Sequence, residues 1–467
     1  MQVLPRCYNI SIDPGKLYQF LLASQQNCYH NYTQIVSISQ EIELIDPLAV
    51  LERIAQPNQL SFYFENREQG FAIAAIDAVA QLKLAGNNRF NVAQKFVKSC
   101  LDYTSISTIA HPFAGPHFFC SFSFFDHVQA NYPFPAATIF LPRWQIALQG
   151  DRACLVANLP ITLDTDLAAV VQQLLQDIQY ITLSAKLLPD FPKLSQKLFK
   201  EDVTSIDHFK QSVLDSSELI KANQLNKIVL AHAIDVKASN NFNIFQSLDN
   251  LRQLHSGCYV FSTSNGRQNF IGASPERLIS IHDQQLSTDA LAGSTSRGKT
   301  VVEDTELANR LLQSDKERRE HQVVIDFISD RLHELGIIPQ LLPSRLRRLA
   351  NIQHLWTPIQ AKVPTNVHPL EIVAALHPTP AVAGNGRNVA CDKIRCYEKF
   401  ERGLYAAPLG WVNYQGNSEF IVGIRSALID GVQARLYAGA GIVAGSDPDL
   451  EIAEVQLKLL ALLKALV

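Results

Sequence analysis

Two pairs of glutamates carry the first chemical suggestion in this sequence. Glu317 and Glu320 stand three apart in a helical run, and Glu451 and Glu454 stand three apart in another. Residues at i and i+3 share a helix face. Two such faces brought together would present four carboxylates, a cage for a hard divalent cation that keeps some of its waters. A solvated helix surface carries such pairs too, and there they contribute little. The second pair, however, follows Gly445-Ser446-Asp447-Pro448, a helix-start signal with proline at the first helical position. Just upstream lies Ala438-Gly439-Ala440-Gly441, whose backbone N–H groups can cradle a carboxylate. Arg425 and Tyr437 complete an anion-binding set, the arginine by its bidentate fork. The alternative for Arg425 is a structural ion pair.

Two further residues could move protons. Glu276, in Phe270-Ile-Gly-Ala-Ser-Pro-Glu276-Arg-Leu, sits at the edge of an apolar strand run. Burial there would raise its pKa and make it a general acid near neutral pH; the plainer reading is an exposed glutamate in a Ser-Pro-Glu turn. Lys227 opens the run Lys-Ile-Val-Leu-Ala. A lysine drawn into an apolar wall can serve as a base, whereas one at a strand end can simply reach water.

Gly293-Ser294-Thr-Ser-Arg-Gly298-Lys299-Thr300 matches the P-loop expression letter for letter. A nucleoside triphosphatase is therefore the alternative from a different reaction class. Against it, Val323-Val324-Ile325-Asp326 lies inside a helical pattern rather than on a strand ending in a magnesium-binding aspartate, and no βαβ rhythm surrounds the loop.

These residues need elements to hold them. Alternating apolar runs predict strands at 60–64, 137–141, 227–231, 269–272, 278–281 and 420–424. Helical periodicity predicts helices over 167–181, 205–224, 305–335 and 449–466. Without a regular βαβ rhythm, mixed and largely antiparallel sheets with helices packed outside are expected. The first 200 residues hold no catalytic constellation. No Pro/Gly-rich linker marks a boundary near residue 200, so the two parts are free to fold as one unit.

The 467 residues are 47% hydrophobic and 18% charged, with a formal net charge of -3. That is a globular composition with no basic excess for nucleic acid or an anionic membrane. The eight cysteines form no C-x-x-C pair, which leaves no zinc knuckle or redox motif and reads as reduced thiols. Residues 1–22 lack signal-peptide features, and no run of 18 apolar residues occurs. A cytoplasmic monomer is the expectation.

Seven motifs, taken together and in order, resemble the chorismate-utilising enzymes. They are Asn226-Lys227-Ile-Val-Leu-Ala, Phe270 to Leu278, Asp289-Ala-Leu-Ala-Gly293-Ser294-Thr-Ser-Arg297-Gly, Asp315-Lys-Glu317-Arg-Arg-Glu320-His, Leu376-His377-Pro-Thr379-Pro-Ala-Val-Ala-Gly384, Ile424-Arg425-Ser-Ala, and Leu436-Tyr437 through Glu451-Ile-Ala-Glu454. The resemblance spans about residues 205–465. It implies an α+β fold like that of anthranilate synthase component I (the ADC synthase fold), with large, mostly antiparallel sheets. Residues 1–200 would form the N-terminal part and 201–467 the chorismate-binding catalytic part. It also accounts for the P-loop match as the family's Ala-Gly-Ser/Thr loop.

Within the family, Lys227 stands where ammonia-using relatives carry glutamine, and His377-Pro-Thr-Pro-Ala-Val is similar to the branch that adds water, the isochorismate and salicylate synthases. The run from Tyr397 to Trp411, with Phe134-Pro135 and Leu141 to Trp144, looks most like the isochorismate synthases of photosynthetic organisms, which feed phylloquinone or menaquinone synthesis. The resemblance implies Lys227 as base and Glu276 as acid. It implies Mg²⁺ held by Glu320 and Glu454 directly and by Glu317 and Glu451 through water. It places the enolpyruvyl carboxylate on Arg425, Tyr437 and the amides of Gly439, Ala440 and Gly441. Gly293, Ser294, His377 and Thr379 would line the ring site, and Lys458 would balance charge. Two positions depart from the pattern: His232, where many relatives have arginine, and Gly386, where proline is common.

Overall fold

The computed structural model describes residues 7–8, 13–28, 33–184, 197–348 and 352–466. Parts of the amino-terminal stretch read above for a signal peptide (1–6 and 9–12) and the Cys7 side chain lie outside the described residues. All the expected strands are present, most of them longer than the runs that announced them, and three of the four expected helices form as single helices.

The strands join in one hydrogen-bonded network that forks at Ala137–Gln149, a strand buried over most of its length. One arm passes through Phe71–Leu84 and Ser61–Asn66 to Tyr259–Ser264 and Asn269–Ser274. It continues through Ser426–Asp430, Gln433–Ile442 and Ile228–Ala238. The other arm starts from His117–Phe122 and passes through Pro408–Asn413, Ser418–Val422, Arg277–His282 and Gln285–Ser296 to Ile352–Lys362. Each arm thus begins in the first 200 residues and ends in the remainder. Two pairings, of Gln34–Ile42 and of Cys7–Tyr8 with Thr104–Ser107, are parallel; the other strand pairings among the described residues are antiparallel. A single apolar cluster runs from Leu17 to Leu466.

Helices cover the outer faces. Pro448–Leu463 lies on Gln433–Ile442 and on the helix Ile206–Lys221, and Asp315–Glu334 lies on Gln285–Ser296. The sequence suggested one helix over 305–335, but there are two, Val301–Gln313 and Asp315–Glu334. Ser314 divides them: its backbone is extended, and its hydroxyl accepts from the Glu317 N–H, starting the second helix afresh. Among the described residues no helix is long and apolar enough to cross a membrane, and the seven described cysteines are free.

The P-loop reading fails on local geometry. Gln285–Ser296 is antiparallel to both its neighbours. The amides that would cradle a phosphate already serve the chain's own carboxylates: Gly298 N–H donates to Asp304 at 2.9 Å and Lys299 N–H to Glu303 at 2.8 Å. Arg297 pairs with the same Asp304.

Candidate active site

The ends of the two arms face each other across a cavity of about 130 Å³. Lys227, Tyr437, Gly439, Gly441 and Arg425 reach it from one arm, Gly293 and Ser294 from the other, Glu276 from the link between Asn269–Ser274 and Arg277–His282, and Glu320, Glu454 and Lys458 from the two helices. Residues that the sequence singled out in six of its seven motifs therefore meet at one place. Ala440 is buried away from the cavity, as strand alternation demands between two cavity-lining glycines.

Glu276 is buried without a side-chain hydrogen bond, following a turn in which the Ser274 hydroxyl accepts from its N–H. Burial pushes its carboxyl up to about 7; Lys227 pulls against this and Asp289 adds to it. Lys227 is also buried, with its ammonium 2.6 Å from Glu320. The backbone around it is tightly fixed. Asn385 N–H donates to Lys227 O at 3.0 Å, and Val229 N–H to Ala383 O at 2.9 Å. A Cβ on Gly384 would lie 2.3 Å from Lys227 O, so only glycine lets this loop run along the strand. Gly441 does the same from the other side, since a Cβ there would lie 3.0 Å from Lys227 Cε.

Glu317 and Glu451 occupy the first turns of two helices, whose positive ends favour carboxylates, and Glu320 and Glu454 stand one turn further on. Glu317 accepts from Ser294 N–H at 3.1 Å, across a bulge made by Gly293 at φ 75°. Glu454 accepts from Lys458 at 2.8 Å. Burial raises the Glu317 and Glu451 carboxyls, and repulsion from Glu320 and Glu454, respectively, adds to it. Burial works on Glu320 as well, but Lys227 overcomes it and its net shift is downward. Among the described residues no three acidic, histidine or cysteine groups close around one point; two of the carboxylates are turned to ammonium groups. The four half-buried carboxylates, all oxygen donors, outnumber those two ammonium groups and fit a hard divalent cation.

Arg425 and the glycine strand also line the cavity, and the strand borders Lys227 and Glu320 at Gly441 and Lys458 at Gly439. Ser426–Asp430 pairs with Gln433–Ile442 only as far as Tyr437, so alternate backbone groups beyond Tyr437 have no strand partner on that edge. Tyr437 lines the cavity with its ring, but its hydroxyl lies toward Tyr132. Tyr405, stacked on it at 5.2 Å, is the tyrosine whose hydroxyl reaches the glycine strand, 3.0 Å from where a Gly439 Cβ would stand. The sequence reading missed Tyr405, although it lies in the quoted run from Tyr397 to Trp411. His354 was missed as well. It lines the cavity opposite Ser294, with its Nε2 buried and unpartnered. A lone histidine in the apolar run Ile352-Gln353-His354-Leu355-Trp356 was the available signal.

His377 and Thr379 do not line the cavity; Ala381 and Val382 from the same loop do. His377 packs against Phe90 and Phe124 and shares a hydrogen bond with Phe124 O at 2.9 Å, and burial lowers its pKa to about 3. It is a neutral core histidine. The loop is held by Arg402, fully buried, which donates to Val382 O and Val229 O and pairs with Glu398; Glu398 in turn accepts from Ala231 N–H. Neither departure falls on the cavity lining. His232 pairs with Asp202 at 2.7 Å, and Gly386 caps the helix Arg387–Tyr397 at φ 75°, which proline cannot adopt.

The model of a family described as chorismate binding enzyme matches residues 20–467. The chain is 31% identical over 442 residues to the salicylate biosynthesis isochorismate synthase of Pseudomonas aeruginosa, covering 92% of this chain and 90% of that protein. It is 30% identical over 455 residues to the isochorismate synthase MenF of Bacillus subtilis, covering 93% and 94%. Among solved structures it is similar to MenF, the menaquinone-specific isochorismate synthase from Escherichia coli, with a TM-score of 0.79 at 26% identity over 97% of this chain and 99% of that one. Anthranilate synthase component I from Streptococcus pneumoniae shares the fold, with a TM-score of 0.68. The chain belongs to the chorismate-binding enzymes.

Proposed function

We propose that this chain is a Mg²⁺-dependent isochorismate synthase, moving the hydroxyl of chorismate from C4 to C2 of the ring and supplying menaquinone or phylloquinone synthesis. The observation that carries the reading is the pair formed by Lys227 and Glu276, which meet at one cavity, Lys227 from the start of Ile228–Ala238 and Glu276 from the link between Asn269–Ser274 and Arg277–His282. The isomerisation needs a base to activate water at one ring carbon and an acid to protonate the departing hydroxyl at another. Lys227 is the base. It acts as the free amine, the form that has a lone pair to take a proton from water, and its nitrogen is held 2.6 Å from Glu320. Glu276 is the acid, and with its carboxyl near 7 it carries a proton at neutral pH. Glu320 and Glu454 would bind Mg²⁺ directly and Glu317 and Glu451 through water. The bound ion would neutralise the ring carboxylate and hold the ring in place. Arg425, Tyr405 and the backbone of Gly439 and Gly441 receive the enolpyruvyl carboxylate. The lysine at 227, where ammonia-using relatives carry glutamine, supports water as the nucleophile.

The test is to incubate the purified protein with chorismate and Mg²⁺, separate the products by chromatography and assay pyruvate. Isochorismate without pyruvate is expected. Salicylate with pyruvate would move the chain to the salicylate synthases with the same acid and base, and no conversion would overturn the reading.

A further inference from the structure

In the cavity Lys227 and Lys458 each pair with a glutamate, Glu320 and Glu454, while Arg425 has no such partner among the described residues. Arg425 has a left-handed backbone, φ 51°, and its buried guanidinium contacts the Cys258 thiol. Arg347, which lies outside the cavity lining, donates to the carbonyl of the neighbouring residue, Gly257, at 3.1 Å. The two guanidinium groups therefore lie over adjacent residues of one turn. Arg347 is also the direct cross-strand partner of His354, whose unpartnered Nε2 belongs to the cavity wall. The Trp356 ring, 5.6 Å from the Arg347 guanidinium, limits where it can go. Among the described residues neither Arg347 nor Arg425 has a carboxylate at ion-pair distance. Burial above all, with Arg347 adding to it, lowers the pKa of Arg425, and His354 is held neutral by burial and by Arg425, Lys458 and Arg347.

We infer that Arg347 is a positioning residue for the substrate's enolpyruvyl carboxylate, standing behind Arg425 and His354 as a third basic group over a turn to which Glu68 brings one carboxylate, not at ion-pair distance from either arginine. Like charges packed together without an ion-pair partner cost folding energy in the empty protein. An arriving carboxylate relieves that cost, so the strain becomes affinity for an anion. The inference rests on the proposed substrate and deepens the site described for it.

The experiment compares wild type with Arg347→Gln and Arg347→Lys in the full chain. Arg347→Gln should raise KM for chorismate about tenfold, the weight of roughly one unit charge acting over several ångströms, with kcat nearly unchanged. Arg347→Lys should restore most of the affinity. The melting temperature of ligand-free Arg347→Gln should equal or exceed that of wild type, while its rise on adding saturating chorismate should shrink. A merely structural arginine behaves oppositely: its loss lowers the ligand-free melting temperature and leaves KM alone, and that result would overturn the inference. Calorimetric titration of chorismate into the three proteins separates this question from the reaction. If wild type binds chorismate without converting it, the proposed function fails while the binding difference still decides the role of Arg347.

Discussion

At the scale of single residues, the proposed acid is the group whose environment can be tested most directly. Among the described residues Glu276 has no hydrogen-bond partner for its carboxylate, and burial outweighs the pull of Lys227, so its protonated form persists to about pH 7. As pH rises through that value the acid is lost, and kcat/KM should fall with each further unit. Glu276→Gln should cost roughly 10²–10⁴-fold in rate, the usual worth of a general acid, and the falling limb above pH 7 should vanish from its residual activity. A limb that survives the substitution removes Glu276 from the role. Lys227→Gln should abolish water addition while calorimetry still shows chorismate and Mg²⁺ binding; wild-type turnover in that variant would clear Lys227 of any part in the chemistry. Both residues were legible in the sequence because each stands in a long motif. Tyr405 and His354 were not. Which tyrosine turns its hydroxyl inward, and which residue faces Ser294, depend on strand register, and register is set by partners far away in the chain.

At the scale of elements, the site depends on where helices begin and where loops are pinned. The expected helix over 305–335 would have put Glu317 and Glu320 in its middle. The signal against this was present: Ser314 followed three residues later by Glu317 is a capping pattern. The break moves Glu317 into a first turn with Glu320 one turn further on, matching Glu451 and Glu454 behind the Asp447 cap. Two helix starts therefore face one cavity. The loop carrying Ala381 and Val382 is placed by the buried Arg402–Glu398 pair, which ties it to the strand behind Lys227. Removing one partner of such a pair leaves an uncompensated charge. Arg402→Met should lower stability by about 3–5 kcal/mol, measured by denaturant titration, although Arg402 is absent from the cavity lining. A loss within the error of the titration would show that strand pairing alone holds the loop. The sequence pointed to this stretch only through its likeness to one branch of the family. It did not show the pinning, because the groups that Arg402 binds lie in two other segments.

At the scale of the whole molecule, the catalytic motifs crowd the second part of the chain, yet the sheets do not respect that division. Ser61–Asn66 pairs with Tyr259–Ser264 in one arm, and His117–Phe122 pairs with Pro408–Asn413 in the other. Ala137–Gln149, from the first part, is the strand at which the arms fork, and one apolar cluster runs through both parts. The first 200 residues thus have a physical role that their lack of catalytic motifs concealed. They fix the relation between the arms, and with it the spacing of Lys227 on one arm from Glu276 in the link between them. Removing them would leave the edges of Tyr259–Ser264 and Pro408–Asn413 unpaired and expose the apolar faces beneath, and such edges invite aggregation. A fragment of residues 201–467 should therefore fail to give a monomeric, cooperatively melting protein, as judged by gel filtration and thermal unfolding, and should lack activity despite retaining the proposed acid, base and metal ligands. Supplying residues 1–200 as a separate chain during refolding should recover some activity, since the missing strands carry register but no chemistry. A soluble, active 201–467 fragment would mean that the spacing of acid and base is set within the second part alone.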